Sequence, residues 1–125
     1  QGTVKFNMGS MFYYVDNNEF AMDVAPYEKG GRTYLPIRFA AAATGVDYEN
    51  VIWNGASQTV TIINDARVIQ LTIGSNEMVV NGTTLYMDAA PEIVDGRTML
   101  PIRFVAQALG KTVDYDATDR AVTIE

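Results

Sequence analysis

The sequence predicts an α+β protein of two similar units, in each of which an antiparallel β-sheet curls around one α-helix. Three observations carry this prediction: an internal repeat, alternating apolar and polar residues typical of strands, and one helical apolar pattern per repeat. The repeat is clearest in GRTYLPIRF at residues 31–39, which returns as GRTMLPIRF at residues 96–104. The two segments lie 65 positions apart and differ only at Tyr34 and Met99. We therefore divide the chain into repeats at residues 1–65 and 66–125.

The repeated segment predicts a turn, a short strand and the start of a helix. Gly31 and Gly96 suit the positive-φ position of a tight turn. Pro36 and Pro101 suit the first helical position, where the missing N–H leaves no hydrogen bond unmade. After Pro101 the apolar residues 102, 105, 106 and 109 fall on one face of a helix, with smaller residues at the equivalent places of the first repeat. One helix is therefore expected after each proline.

Alternating apolar and polar residues predict five further strands in each repeat. On the third strand of each repeat, the side chains expected to face the core are Phe20, Met22, Leu85 and Met87. The predicted strands are residues 4–8, 12–15, 19–23, 51–54 and 59–62, and their counterparts 69–73, 77–80, 84–88, 113–116 and 121–124.

The turn at residues 64–66 joins the repeats, so the strand ending at Ile63 should pair with the strand beginning near Arg67. If a pseudo-two-fold axis relates the repeats, residues 122–124 should likewise pair with residues 4–8. The halves would then exchange strands and form one compact body. The alternative is two separate beads, each keeping its own N-terminal strand. We favour exchange, because each half alone is in the size range where hydrophobic cores are marginal.

Composition excludes several classes of function. A formal charge of −6 over 125 residues disfavours nucleic acid and anionic membranes, and no apolar run approaches the length of a membrane span. The chain has no Cys and no His, so neither a Ser-His-Asp triad nor the usual zinc and copper sites can be built. We expect no cofactor and no catalytic residues.

Arg38 and Arg103 follow the two prolines, and Asp23 and Asp88 end an earlier strand in each repeat. A functional interpretation is a clamp for an anion or a carboxylated sugar. The structural interpretation is an arginine that pairs with a carboxylate or caps a carbonyl, and so fixes helix against sheet. Because these residues occur once per repeat, as scaffold residues do, we favour the structural role.

Two further groups could carry a ligand. Asp114, Asp116 and Asp119 surround a turn, and calcium favours several oxygens from such a loop, but a solvated acidic turn fits the spacing better. Trp53, with Tyr48 and Tyr115, could form a platform on which a sugar stacks. Trp53 and Tyr115 occupy equivalent positions, which favours core packing, whereas Tyr48 lies in a segment unique to the first repeat and is expected to be exposed.

The order of these motifs resembles the copper amine oxidase N-terminal, or stalk, domain family. DGRTMLPIRF at residues 95–104, then Ala-Leu-Gly, an aromatic strand and Val-Thr-Ile carry the resemblance, which covers both repeats. The resemblance implies small α+β units that serve as accessory modules of secreted or cell-surface bacterial proteins. In the oxidases the copper ligands are histidines and the cofactor is a modified tyrosine of a separate catalytic domain. Without histidine, none of that site carries over to this chain.

The function that the sequence favours is a non-catalytic spacer or interaction module of a larger secreted or cell-surface bacterial protein. A carbohydrate- or cell-wall-binding module is the alternative, and an enzyme would need a cleft with convergent acids. The expected partners are cell-wall polysaccharide or neighbouring domains of a parent protein, without nucleic acid or membrane insertion. An extracellular or cell-wall location follows from the resemblance alone, because the first residues lack the features of a signal peptide.

Overall fold

The computed structural model describes residues 3–125, apart from the side chain of Tyr48. This part of the chain is mostly antiparallel β-sheet with two α-helices, which confirms the α+β class. The helices are α1 (Ile37–Ala43) and α2 (Ile102–Ala108), and a short 3-10 helix spans Tyr48–Asn50. The strands are β1 (Val4–Asn7), β2 (Phe12–Val15), β3 (Asn18–Ala21), β4 (Tyr27–Lys29), β5 (Arg32–Pro36), β6 (Val51–Asn54), β7 (Thr59–Asn64), β8 (Arg67–Thr72), β9 (Glu77–Val80), β10 (Thr83–Tyr86), β11 (Glu92–Val94), β12 (Arg97–Pro101), β13 (Val113–Asp116) and β14 (Ala121–Ile124).

The described strands form three sheets. The first sheet has the order β13-β14-β1-β2-β3, the second β6-β7-β8-β9-β10, and a four-stranded central sheet β11-β12-β5-β4. The predicted pairing of the N-terminal strand with residues 122–124 is present, because β1 runs antiparallel to β14 with Val4 opposite Ile124. The predicted pairing across the turn at residues 64–66 is also present, with Ile63 opposite Val68.

One row of directly opposed side chains crosses each five-stranded sheet on its core-facing side. The row in the first sheet is Tyr115, Val122, Phe6, Tyr13 and Phe20. The row in the second sheet is Trp53, Val60, Leu71, Met78 and Leu85. Phe6 and Leu71, on central strands, are at most 1% exposed. The hydrophobic core is therefore centred on the middle strands of each sheet, and the rows extend it towards the edge strands.

Phe20 and Leu85 face the core side of their sheets as predicted, but each is 46% exposed. Both lie on the core-facing rows, but β3 and β10 are edge strands with a neighbour on one side only. Met22 and Met87, which follow these strands, are buried as predicted.

Both helices pack on the central strands β5 and β12. Leu35 and Leu100 stand opposite each other there and are fully buried. The predicted face of α2 is confirmed, since residues 102, 105, 106 and 109 are all buried. Pro36 and Pro101 each lie one position earlier than predicted, as the last residue of a strand with extended ψ angles of 138° and 104°. Proline's fixed φ suits this extended conformation as well as the first turn of a helix.

The opposite face of the central sheet is covered by polar and aromatic contacts. The Tyr27 ring stacks on Tyr34 with centroids 5.2 Å apart, and the Tyr34 hydroxyl donates to the Ala90 carbonyl at 2.9 Å. The Tyr27 hydroxyl and Lys29 Nζ both donate to the Glu92 carboxylate. These donors, Lys29 foremost, lower the pKa of Glu92.

The tight turns occur where the repeat predicts them. Gly31 and Gly96 have φ values of 79° and 75°, the left-handed region that glycine adopts without strain.

Neither helix in residues 3–125 has the length and apolar character needed to cross a membrane.

Candidate functional site

The first candidate site, which we name the charged groove, lies beside the hairpin β4–β5, the edge strand β13 and the start of α2. It encloses about 430 Å³, within the usual range for small-molecule pockets. Its polar lining consists of Glu28, Arg32, Thr33, Asp88, Arg103 and the phenol of Tyr115. Ile102, Phe104, Val113 and Val122 supply apolar surface. The groove thus combines an aromatic ring with charges of both signs.

A second groove, the apolar groove, also encloses about 430 Å³, and its lining residues correspond in the repeat to lining residues of the charged groove. It is lined by Ile37, Val51, Trp53, Ile93, Gly96 and Thr98. Trp53 replaces Tyr115, and Ile93 replaces Glu28. Trp53 and Ile93 are 45% and 43% exposed, so the two grooves share a backbone frame but differ in chemistry.

Two reciprocal ion pairs link the halves of the sequence. Arg97 donates to Asp23 through Nε at 3.0 Å and Nη2 at 2.8 Å, and Arg32 donates to Asp88 through the same two atoms. Hydrogen bonds from each guanidinium lower the pKa of the carboxyl that it contacts. All four side chains are well exposed, so these contacts set geometry more than they stabilise the fold.

The sequence interpretation placed Arg38 and Arg103 near these carboxylates, and the structure gives each a secondary role there. Both arginines are exposed, and their longer-range attraction also lowers the pKa of Asp23 and Asp88 respectively. The hydrogen-bonding partners are Arg97 and Arg32, which sequence reasoning missed. The internal repeat could have identified them, because Arg32 and Arg97 are also part of the repeated segment at residues 31–39 and 96–104.

The ion pairs predict a selective NMR titration. Because each guanidinium holds the pKa of its Asp down, the folded state retains both charges below the pH at which an unfolded Asp protonates. The stabilisation is complete above the unfolded pKa and is lost as pH falls through the folded one. Carboxyl ¹³C titration should give Asp23 and Asp88 midpoints below the usual Asp range. Arg97→Met should raise the midpoint of Asp23 and leave Asp88 low, and an unchanged Asp23 would contradict the assignment.

The acidic turn closes in the same way as its counterpart in the first repeat. One Asp116 carboxylate oxygen accepts the N–H of Thr118 at 2.9 Å and of Asp119 at 3.3 Å. Asn54 accepts the equivalent pair of N–H groups with its side-chain oxygen. Within residues 3–125 no three acidic side chains are grouped so as to hold a metal ion. The turn therefore uses Asp116 as a local backbone cap.

The expected core packing of Trp53 and Tyr115 is wrong, since they are 45% and 39% exposed. Each stands at the edge end of a core-facing row, on the outermost described strand of its sheet, and each lines a groove. The backbone of Tyr48 lies in the 3-10 helix, but the prediction that its side chain is exposed falls outside the described atoms.

The fold and the two grooves define an α+β module with two related surface grooves. Residues 2–51 and 14–124 match the family model described as the copper amine oxidase N-terminal domain, in two overlapping ranges consistent with tandem copies. The chain belongs to this family. The domain is non-catalytic in the oxidases, so membership indicates an accessory module. No curated protein matches the chain.

Proposed function

We propose that this chain is a non-catalytic accessory module of a larger secreted or cell-surface bacterial protein, acting by interaction more than as a spacer. The observation that carries the proposal is the position of the chain ends. The Thr3 hydroxyl donates to the Glu125 carboxylate at 3.0 Å, and β1 and β14 pair beside it. A polypeptide that continued on both sides would enter and leave at one point. The module would then project sideways and add little length.

Strand exchange about a pseudo-two-fold axis is part of this proposal, because it would make the module one rigid body. Reciprocal contacts support it. Leu35 stands opposite its own counterpart Leu100 in the central sheet. The N–H of Gly9 donates to the Pro26 carbonyl, and the N–H of Gly74 donates to the Pro91 carbonyl, both at 3.0 Å. The division into residues 1–65 and 66–125 follows from the same correspondence.

The proximity of the two chain ends is tested by inserting the chain between two fluorescent proteins and measuring resonance energy transfer between them. We expect transfer close to that of a fusion joined by a short flexible linker, although 125 residues have been added. A rigid helical linker of 40 residues, about 60 Å long, supplies the extended reference. Transfer as low as that of the helical reference would overturn the interaction role and favour a spacer.

A carbohydrate- or cell-wall-binding module is the second candidate, and the charged groove favours it. Tyr115 presents an exposed ring among Glu28, Arg32 and Asp88, and sugars are commonly bound by an aromatic face with polar groups around it. Sedimentation with purified bacterial cell wall and a glycan array test it. We expect Tyr115→Ala to lower retention and the equivalent Trp53→Ala to leave it unchanged. Equal retention of Tyr115→Ala and the parent protein would exclude this groove.

A further inference from the structure

We propose that the charged groove binds a sugar that carries a carboxylate, with Arg103 as the anion-recognising residue and Tyr115 as the stacking surface. The proposal rests on the carbohydrate-binding candidate function and names the class of sugar. Three observations support the proposal: the charged residues inside the groove, the ion pairs that they form, and the difference in lining between the charged groove and the apolar groove.

The groove is lined by two arginines and two acidic residues, and one of the arginines has no ion-pair partner among the described residues. Arg32 is engaged with Asp88 through two hydrogen bonds, and Glu28 lies 3.6 Å from Arg120. Among the described residues 3–125, Arg103 forms no ion pair, although its charge is felt at Asp88. A chain with a formal charge of −6 thus presents an accessible guanidinium inside its charged groove. A carboxylate satisfies such a guanidinium with two parallel hydrogen bonds.

The remaining lining suits the rest of a pyranose. The half-exposed ring of Tyr115 offers an aromatic face against which the C–H side of a sugar packs. The carboxylates of Glu28 and Asp88 are acceptors for sugar hydroxyls, and the Thr33 hydroxyl can donate or accept. A volume of about 430 Å³ is large enough for a small saccharide.

The apolar groove provides an internal comparison. It keeps the aromatic residue and the threonine, as Trp53 and Thr98, but Ile93 replaces Glu28 and no arginine lines it. It therefore lacks both the carboxylate-binding group and an acidic acceptor. We expect carboxylated sugars to bind at Tyr115 and not at Trp53.

The test uses sugar pairs that differ in one carboxylate: glucuronic acid against glucose, and N-acetylmuramic acid against N-acetylglucosamine. Amide chemical shifts of the whole chain are followed by NMR at low ionic strength. We expect shifts around Tyr115 and Arg103, with each acidic sugar binding about tenfold or more tightly than its neutral partner. Arg103→Gln should abolish that preference and Tyr115→Ala should weaken both members of a pair. Because both side chains are exposed, these variants should remain folded, which the dispersion of their amide spectra shows.

The matched controls are Trp53→Ala and Arg38→Gln, which alter the equivalent positions of the first repeat and should leave binding unchanged. Equal affinity for glucose and glucuronic acid, with Tyr115 still required, would overturn the acidic class and leave the carbohydrate candidate standing. Shifts centred on Trp53 would overturn the choice of groove. No shift with any of the four sugars, or binding of acidic peptides in their place, would overturn this proposal, while the energy-transfer experiment would still decide the accessory role.

Discussion

Residues 1–65 and 66–125, prepared as separate peptides, should each be largely unfolded and should recover the native fold when mixed. Both five-stranded sheets combine strands from the two segments, because β14 pairs with β1 and β7 pairs with β8. The central sheet is joined across β5 and β12. Separation therefore removes at least two strands from every sheet and exposes buried residues such as Phe6 and Leu71. A segment of this size has little spare stability with which to tolerate that loss.

Far-UV circular dichroism, amide NMR and sedimentation measure the outcome. Each peptide alone should give a poorly dispersed spectrum, and an equimolar mixture should sediment as a heterodimer with the spectrum of the intact chain. A protease site placed in the turn at residues 64–66 provides the control, because the cleaved protein should stay assembled until denaturant is added. Since the repeats are similar, a homodimer of residues 1–65 would also agree with strand exchange. A folded monomer of residues 1–65 would contradict it.

The order of elements could be predicted from the sequence because the apolar pattern is stated twice. The alternation across the strands predicted the core-facing rows, and the spacing after Pro101 predicted the buried face of α2. The pairing of β1 with β14 followed from symmetry, since the pairing of β7 with β8 was evident from the turn between them. Local pattern and repeat agree at these places, so the prediction needed no knowledge of distant contacts.

The exposure of side chains could not be predicted in the same way. Alternation shows which face a residue occupies but not how many strands flank it, so it does not separate buried Phe6 from the exposed Phe20, Leu85, Trp53 and Tyr115. Burial on a sheet face also depends on the position of the strand within the sheet, which is a property of the topology. For the same reason the charged groove was not foreseen. Its lining comes from both repeats, and no local motif brings Glu28 near Tyr115.

Replacing Phe6 by alanine should lower the free energy of unfolding by about 4 kcal/mol, the loss typical of a fully buried aromatic side chain. Phe6 is completely buried in β1, opposite Val122 on one side and Tyr13 on the other. Its ring stacks on Tyr13 with centroids 5.2 Å apart. The substitution leaves a cavity in a central strand that is flanked on both sides by β14 and β2.

Phe20→Ala is the matched control, because the same residue type ends the same row on an edge strand. Phe20 also stacks on Tyr13, at 5.5 Å, but it is 46% exposed, so its removal should cost no more than about 1 kcal/mol. Urea unfolding followed by fluorescence measures both variants, and an unchanged slope with denaturant would show that the compactness of the unfolded state is unaffected. Equal losses of unfolding free energy for Phe6→Ala and Phe20→Ala would mean that the position of a residue along the row does not determine how much its burial stabilises the fold. A large difference would tie the stability of the module to the central strand that pairs its first described residues with its last.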